Sequence, residues 1–314
     1  MGTEIFATFG PACRDKEVLR NMVAFGLTGM RLNLSHMTLH EAADYISAYR
    51  SVAQSPQLLI DMQGPELRVG KADIELTESI CISDIELPSV VTDALETGDE
   101  ILLDDGRLLL RMCDSRNAEV IRGGFLKSHK SVKIKNKSID MPVLTDHDIE
   151  NIRLAREYGV TAVMQPFVRS GKELRRVREL LCENGAEHIK IFAKIENRQG
   201  VENLQDILPH SDAIVIARGD LGNDMPLWEL PAVQKRIEDA CHKADKPYIV
   251  VTQMLASMEQ SPIPTRAEVS DIFHAAYHGA WGVMITGESA VGRYPVEAVK
   301  YLSRTVRACE KFVL

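Results

Sequence analysis

The stretch IKIFAKIENRQGVENLQDILPHSDAIVIARGDLG (189–222) contains two apolar runs, IKIFAKI and AIVIA, each followed at once by charged residues. Near-continuous Val, Ile and Ala runs are typical of parallel strands that are covered on both faces. Lys194 and Glu196 stand at the end of the first run, and Arg218 and Asp220 follow the second. The stretch therefore predicts two parallel strands whose adjacent ends carry a lysine and two carboxylates.

The same strand pattern recurs along most of the chain. The other candidate strands are EIFATF (4–9), GMRLNL (29–34), QLLID (57–61), TAVMQ (161–165), YIVVT (248–252) and GVMIT (282–286). Amphipathic, helix-like stretches alternate with them, at 15–25, 38–53, 147–158, 171–185, 227–244, 266–278 and 295–311. Eight strands with following helices predict an α/β fold of the TIM (β/α)8 barrel type.

The long interval between the third and fourth strands has a different sequence pattern from the rest of the chain. It contains short alternating runs separated by turn signals, namely DEILLD (99–104), RLLLRM (107–112) and NAEVIRG (117–123). We expect a small all-β domain over 71–138, inserted after the third strand of a barrel formed by 1–70 and 139–314. An insertion in a βα loop lies on the C-terminal face of a barrel, so a lid over the active site is one interpretation and a structural decoration the other.

Composition excludes several classes of protein. The chain has 37 Lys and Arg against 45 Asp and Glu, and it lacks the basic stripe that nucleic-acid binding needs. It has no run of 18 apolar residues, so we expect no membrane span. The N-terminus lacks the features of a signal peptide, and the six cysteines are scattered without a C-x-x-C motif. These features favour a cytoplasmic protein with reduced thiols.

Polar residues follow six of the eight candidate strands, which predicts a functional rim. Glu196 and Asp220 offer the hard oxygen ligands that Mg²⁺ or Mn²⁺ prefers. Arg31, Arg68 and Lys194 offer cations for a phosphate or a carboxylate. Two structural alternatives stay open: Glu196 could pair with an arginine of the rim, and Asp220 could cap the turn that follows it.

Nine motifs together resemble the pyruvate kinase family, in the order that the family has. They are TFGPA (8–12), RLNLSH (31–36), DMQGPELR (61–68), LLDDG (102–106), AKIENRQG (193–200), ARGDLG (217–222), TQMLASM (252–258), PTRAEVSD (264–271) and GESAVGRYP (287–295). The resemblance implies a TIM barrel with an inserted β lid. It also implies a glycolytic phosphotransferase that moves the phosphoryl group of phosphoenolpyruvate to ADP, giving pyruvate and ATP, with Mg²⁺ and K⁺.

The resemblance also implies a role for each motif residue. The catalytic residues would be Lys194, Thr252 and Arg31. The substrate-binding residues would be Ala217, Arg218, Gly219, Asp220 and Thr252. The metal ligands would be Glu196 and Asp220 for Mg²⁺, and Asn33, Ser35, Asp61 and the carbonyl of Met62 for K⁺. The nucleotide-binding residues would be Pro11, His36, Arg68 and the lid lysine Lys130.

The chain departs from the family pattern at several places. It stops near Leu314, where family members continue into a C-terminal domain with sugar-phosphate sites, so we expect no such site. We expect a dimer through the barrel helices, using the segment around Arg266. Met62 and Gln63 replace the usual Thr and Lys. The lid segment KSHKSVKIKN (127–136) differs from the family's lysine- and glycine-rich stretch, so Lys127 or Lys133 are alternatives to Lys130. Gln165-Pro166 replaces a small Ala-Ser pair.

Three hypotheses for function follow. The first is the phosphotransferase described above. The second keeps the barrel, the metal and the enolate but loses the nucleotide, which gives a metal-dependent lyase or decarboxylase acting on pyruvate or oxaloacetate. The third is a non-catalytic regulatory relative. The altered lid and Gln63 favour the second hypothesis, whereas the presence of Lys194 and both metal carboxylates argues against the third.

Overall fold

The chain forms two compact units in a computed structural model that describes residues 2–35, 37–104, 106–135, 137, 139 and 141–313. The first unit comprises residues 1–64 together with 143–314, and the second comprises residues 65–142. The second unit therefore occupies one continuous stretch of sequence within the first.

The first unit is a closed barrel of eight parallel strands. In chain order the strands are β1 Glu4–Thr8, β2 Gly29–Asn33, β3 Gln57–Asp61, β4 Ala162–Gln165, β5 Lys190–Ile195, β6 Ala213–Ala217, β7 Tyr248–Val251 and β8 Gly282–Met284. Each strand pairs with the next one in the chain, and β8 pairs with β1 to close the ring. The predicted TIM barrel is thus confirmed, and all eight strands lie where the apolar runs placed them.

Strand pleating decides which side chains face the barrel interior. Leu59 and Phe192 belong to the apolar cluster that fills this interior. Side chains two residues apart on a strand point to the same face, so Asp61 and Lys194 are directed inward, one layer above them. Glu196 continues the same alternation just after β5. These charged groups therefore meet at the C-terminal mouth of the barrel, as active-site residues of this fold do.

Helices surround the barrel, and a larger apolar core lies between them and the strands. The α-helices are Lys16–Ala24, Ala43–Arg50, Asp146–Ala155, Gly171–Glu183, Arg198–Glu202, Leu204–Ile207, Arg218–Asp224, Leu230–Lys243, Arg266–Tyr277, Gly287–Ala290 and Pro295–Val313. Short 3-10 turns lie at Pro11–Cys13, Leu208–His210 and Ala256–Glu259. The predicted helix over 38–53 begins only at Ala43, because Glu41 accepts the N–H of Thr38 at 2.7 Å and closes a separate turn.

The second unit has an antiparallel sheet and a core of its own. Its five-stranded sheet has the spatial order Val132–Ile134, Glu100–Leu103, Leu108–Met112, Asn117–Arg122 and Ser79–Cys81. Ile74–Leu76 pairs separately with Gly124–Leu126, and the short helices are Ile82–Asp84 and Ser89–Thr92. The three strands that the sequence predicted are present. The four that it missed are only three residues long, too short for an alternating pattern to show.

Two further expectations concern the cysteines and the membrane. All six cysteines are free, and Cys13, Cys241 and Cys309 are buried. Across the part of the chain that the structure describes, no helix has both the length and the apolar character that crossing a bilayer requires.

Candidate active site

One buried carboxylate binds two cations at the mouth of the barrel. Asp61, at the end of β3, is 2% exposed. Its Oδ2 lies 2.6 Å from Arg31 Nη2 and accepts the Arg31 Nε–H at 2.8 Å. Lys194 Nζ on β5 donates to both oxygens of the same carboxylate, at 3.1 and 3.0 Å. Asp61 therefore fixes the side chains of β2 and β5 against β3.

Glu196 is the second carboxylate around Lys194. It is 1% exposed, and its Oε1 lies 3.0 Å from Lys194 Nζ. Its Oε2 accepts the N–H of Phe167 at 2.8 Å, and Phe167 adopts a left-handed backbone conformation with φ of 52° to present that N–H. Oε1 is buried, and its contact with Lys194 is an ion pair that does not meet the geometry of a hydrogen bond. The structural alternative for Glu196 named an arginine of the rim as its ion-pair partner; the partner is Lys194 instead.

Burial and neighbouring charges shift the pKa values of Glu196, Asp61 and Lys194 in different directions. Burial raises the pKa of Glu196 to about 7, with Asp220 and Asp61 adding to the rise and Lys194 opposing it. Burial acts in the same direction on Asp61, but Lys194 and Arg31 outweigh it and lower the pKa of that carboxyl. Burial disfavours the ammonium of Lys194, yet Asp61 and Glu196 raise its pKa above the ordinary value. Lys194 and Asp61 therefore stay charged at neutral pH.

The ends of β6 and β7 meet through Arg218 and Thr252. Arg218 Nη1 donates to Asp271 Oδ1 at 2.8 Å, and Nη2 donates to the Thr252 carbonyl at 2.7 Å. The N–H of Gly219 donates to Thr252 Oγ1 at 2.8 Å. Thr252 has φ of 74°, a costly conformation for a β-branched residue. Arg218 thus positions the Thr252 backbone. The N–H of Gly219, a residue that the family resemblance assigns to substrate binding, is already bound to the Thr252 hydroxyl oxygen.

Asp220 lies in the first turn of helix Arg218–Asp224. The N-cap of this helix is Ala217, without a side-chain cap hydrogen bond, so the alternative that Asp220 caps the turn is wrong. Ala217 itself fills the barrel interior. The charge of Asp220 acts on both Lys194 and Glu196. Among the described residues, no group of three or more His, Cys, Asp or Glu side chains is arranged to bind a metal ion.

The four residues predicted for a monovalent cation lie at the ends of β2 and β3 or just beyond them. Asn33 and Asp61 are direct partners in the parallel register, and Ser35 donates its N–H to Asn33 Oδ1 at 3.1 Å. The Met62 side chain is 2% exposed and packs in the outer core. The carbonyl oxygen is therefore the part of Met62 that could bind a cation. All four predicted ligands would supply oxygen atoms.

The residues predicted to bind the nucleotide lie in different parts of the chain. Pro11 is exposed at the start of the 3-10 turn after β1, and His36 lies outside the described residues. Arg68 and Lys130 belong to the second unit. Arg68 pairs with Glu66 at 2.6 Å and Lys130 pairs with Asp104 at 2.7 Å. Both cations are thus bound to carboxylates of their own unit.

The substituted positions around β3 and β4 pack against each other. The Thr145 hydroxyl lies 3.3 Å from the Gln63 side-chain oxygen, and Gln165 Nε2 donates to the Val143 carbonyl at 3.0 Å. A Cβ on Gly64 would lie 2.4 Å from Pro166 Cγ, and Gly64 has φ of 62°, so only glycine fits there. These residues tie the chain leaving β3 to the chain returning at 143.

The sequence did not identify two buried residues that build this site. Thr8 donates its hydroxyl to the Ile285 carbonyl at 3.1 Å and accepts from Arg31 Nη1 at 3.0 Å, so it holds the far side of the guanidinium. Asp148 accepts the backbone N–H groups of Gln63 and Gly64. Thr8 could have been noticed as a polar residue at the end of β1. The T-x-x-D pattern at 145–148 indicates a helix start, but not that its carboxylate reaches residue 63.

Comparison with known proteins gives a consistent family. The model of the pyruvate kinase barrel domain matches residues 1–299. The chain is 37% identical to the pyruvate kinase of Thermococcus litoralis over 337 residues, covering 99% of this chain and 70% of that protein. It is 36% identical over 334 residues to that of Sporosarcina psychrophila, covering 98% of this chain and 57% of that protein. The chain thus spans little more than half the length of the latter.

We predict that Asp61→Asn strongly destabilises the barrel. The substitution leaves Arg31 and Lys194 buried without their shared counter-charge, and breaking a buried pair typically costs about 3–5 kcal/mol. The free energy of unfolding, measured by urea denaturation, reports the loss. Glu179→Gln is the matched control, because Glu179 pairs with Arg176 on an exposed helix face and such pairs contribute little. Equal stability of the two variants would contradict the central role of Asp61.

Proposed function

Because the chain belongs to the pyruvate kinase family, we propose that it transfers the phosphoryl group of phosphoenolpyruvate to ADP. The bond between the phosphorus and the enol oxygen breaks, a bond to the ADP β-phosphate oxygen forms, and the enolate takes up a proton to give pyruvate. The observation that carries the proposal is the geometry of Lys194, which is held 3.0 Å from both Asp61 and Glu196 at the barrel mouth.

Phosphoryl transfer depends chiefly on positioning and on neutralising charge. We propose that Lys194 and Arg31 place two permanent positive charges beside the group in transfer. Asp61 supports this role because it orients both cations. It also keeps Lys194 protonated, so the lysine acts as an electrostatic stabiliser and not as a base. Thr8 adds a second contact to Arg31, which limits how far the guanidinium can move.

The residues present fit a divalent ion. Glu196 and Asp220 are hard oxygen donors, and Glu196 Oε1 is a buried acceptor that forms an ion pair, but no hydrogen bond, with the Lys194 ammonium. Mg²⁺ or Mn²⁺ bound there would neutralise part of the substrate's negative charge. Two protein ligands leave the remaining coordination positions to substrate oxygens and water, which is usual for Mg²⁺.

The substrate carboxylate belongs, in this proposal, at the start of helix Arg218–Asp224, near Ala217, Gly219 and Asp220. Thr252 Oγ1 accepts the Gly219 N–H and donates to the Val251 carbonyl. A substrate carboxylate bound to that N–H would displace Oγ1 and lie beside the hydroxyl, which would take part in protonating the enolate. Arg218 contributes by fixing Thr252, since both of its Nη atoms are engaged with Asp271 and the Thr252 carbonyl.

We assign the nucleotide to Pro11, His36, Arg68 and Lys130, following the family resemblance. The segment 71–138 would act as the lid, because its position after β3 puts it in a βα loop. Arg68 and Lys130 would then exchange their partners Glu66 and Asp104 for phosphate oxygens. The chain carries Gln63 in place of a lysine, so these two cations matter more here than in the family pattern.

The remaining parts of the proposal concern K⁺, assembly and location. Asn33, Ser35, Asp61 and the Met62 carbonyl supply the oxygen donors that K⁺ prefers. A homodimer through barrel helices would use helix Arg266–Tyr277, where Ile263 just before it is 64% exposed and Tyr277 at its end is 52% exposed. A cytoplasmic location agrees with the six free cysteines.

We predict that the full chain forms pyruvate and ATP from phosphoenolpyruvate and ADP with Mg²⁺ and K⁺, and that Lys194→Met abolishes both products. Removing one preorganised charge at such a site typically costs roughly 10²–10³ in rate. Lys190→Met is the matched control, because Lys190 is exposed at the opposite end of the same strand. A coupled assay for pyruvate and a luciferase assay for ATP measure the two products separately.

Other outcomes of this assay identify the alternative functions. Pyruvate released from oxaloacetate without ATP would identify a metal-dependent decarboxylase, which the uncharged Gln63 side chain favours. Metal-dependent substrate binding without turnover would identify a regulatory relative. Equal activity of Lys194→Met and Lys190→Met would contradict the proposed role of Lys194.

We also predict that turnover depends on K⁺. Replacing K⁺ by Na⁺ at constant ionic strength should lower the steady-state rate, because the smaller ion fits a site of fixed oxygen donors less well. Unchanged rates in Na⁺ would remove the monovalent site at Asn33, Ser35 and Asp61 from the proposal.

A further inference from the structure

The carboxylate of Asp148 joins two segments that are far apart in the sequence. Asp148 is fully buried, in the first turn of helix Asp146–Ala155. Its Oδ1 accepts the N–H of Gln63 at 2.7 Å, and its Oδ2 accepts the N–H of Gly64 at 3.0 Å. Oδ2 also accepts the N–H and the hydroxyl of Thr145, at 3.0 and 2.9 Å. Two of these four donors thus belong to the turn after β3.

The bond from Gln63 decides where the Met62 carbonyl points. The N–H of Gln63 and the C=O of Met62 belong to one peptide unit, and in the described chain no peptide bond is cis. In a planar trans unit these two groups point in opposite directions, so the Met62 oxygen points away from Asp148. The N–H of Met62 donates to the Met164 carbonyl at 3.1 Å, which fixes the preceding peptide plane as well.

We propose that Asp148 is a positioning residue for the monovalent cation, because it sets the direction of the Met62 carbonyl. This inference rests on the K⁺ site of the proposed function. The other donors of that site are fixed independently of Asp148, since Asn33 and Asp61 are partners in the β2–β3 register. Asp148 therefore controls the one ligand of the four that the turn after β3 supplies.

A helix cap alone does not require a fully buried carboxylate. The hydroxyl of Thr145 already caps the helix by accepting the N–H of Asp148 at 3.1 Å. An asparagine at 148 would have one acceptor oxygen and an NH₂ group. Its NH₂ group would face either the Gln63 N–H or the donors of Gly64 and Thr145, and the donors that it faced would lose their acceptor. Asp148→Asn thus cannot keep both N–H groups of the β3 turn bound, although it nearly preserves side-chain shape.

Thermal unfolding of the full chain in KCl and NaCl series of equal ionic strength tests this inference without an activity assay. A cation that binds only the folded state raises the melting temperature by mass action, so the wild-type chain should be stabilised more by K⁺ than by Na⁺. Asp148→Asn should shift the K⁺ concentration for half-maximal stabilisation upward by about tenfold or more, the usual range for residues that orient metal ligands.

Thr145→Ala is the matched control. It removes the cap hydroxyl but keeps both bonds from Asp148 to the β3 turn, so it should lower the melting temperature and leave the K⁺ midpoint at the wild-type value. A K⁺ midpoint of Asp148→Asn equal to wild type would overturn the inference, and so would equal shifts in both variants. If Asp148→Asn does not fold, Asp148→Glu decides, because its displaced carboxylate should also weaken K⁺ and a wild-type midpoint would refute the idea.

The proposed function and this inference fail in different ways. Absence of phosphoryl transfer by the wild-type chain would refute the kinase proposal and leave the thermal test intact. A wild-type chain that K⁺ and Na⁺ stabilise equally would overturn the monovalent site and this inference together.

Discussion

The shared carboxylate of Asp61 is the constraint on which the rest of the site depends. Arg31 and Lys194 repel each other, and burying both at the barrel mouth is tolerable only because Asp61 binds them together. This arrangement keeps the lysine charged and directs it toward Glu196. Asp61 therefore gives the barrel mouth two oriented cations, one of which, Lys194, also pairs with the buried carboxylate of Glu196.

Backbone strain around the mouth serves the same end. Phe167, Thr252 and Gln253 all adopt left-handed conformations with φ of 52°, 74° and 54°. At Phe167 this conformation presents an N–H to Glu196, and at Thr252 the carbonyl is bound by Arg218. Such conformations are maintained only when the surroundings over-determine them. Buried carboxylates near the mouth hold the surrounding loops in place. Glu288, for example, accepts the N–H groups of Leu255 and Thr286 and fixes the loops after β7 and β8.

The barrel could be predicted from the sequence because a buried strand requires a run of apolar residues, and such runs are visible locally. It also placed Lys194 and Glu196 together at the barrel mouth, since the end of a parallel strand fixes where the next residues lie. It could not predict which charges pair, because the link from Asp61 to Lys194 spans 133 residues and depends on barrel closure. Arg218 shows the difficulty: its motif implies a substrate residue, whereas the structure engages it with Thr252 and Asp271. Asp148 is similar, since its local pattern explains only half of its hydrogen bonds.

The most direct test of the account is the binding of Mn²⁺ in the presence of phosphoenolpyruvate, followed by electron paramagnetic resonance of the free ion. If the buried acceptor of Glu196 and the neighbouring Asp220 form the metal site, the wild-type chain binds a single ion and Glu196→Gln weakens that binding by at least about tenfold, whereas Glu179→Gln does not. Undiminished Mn²⁺ binding by a folded Glu196→Gln variant would contradict the account.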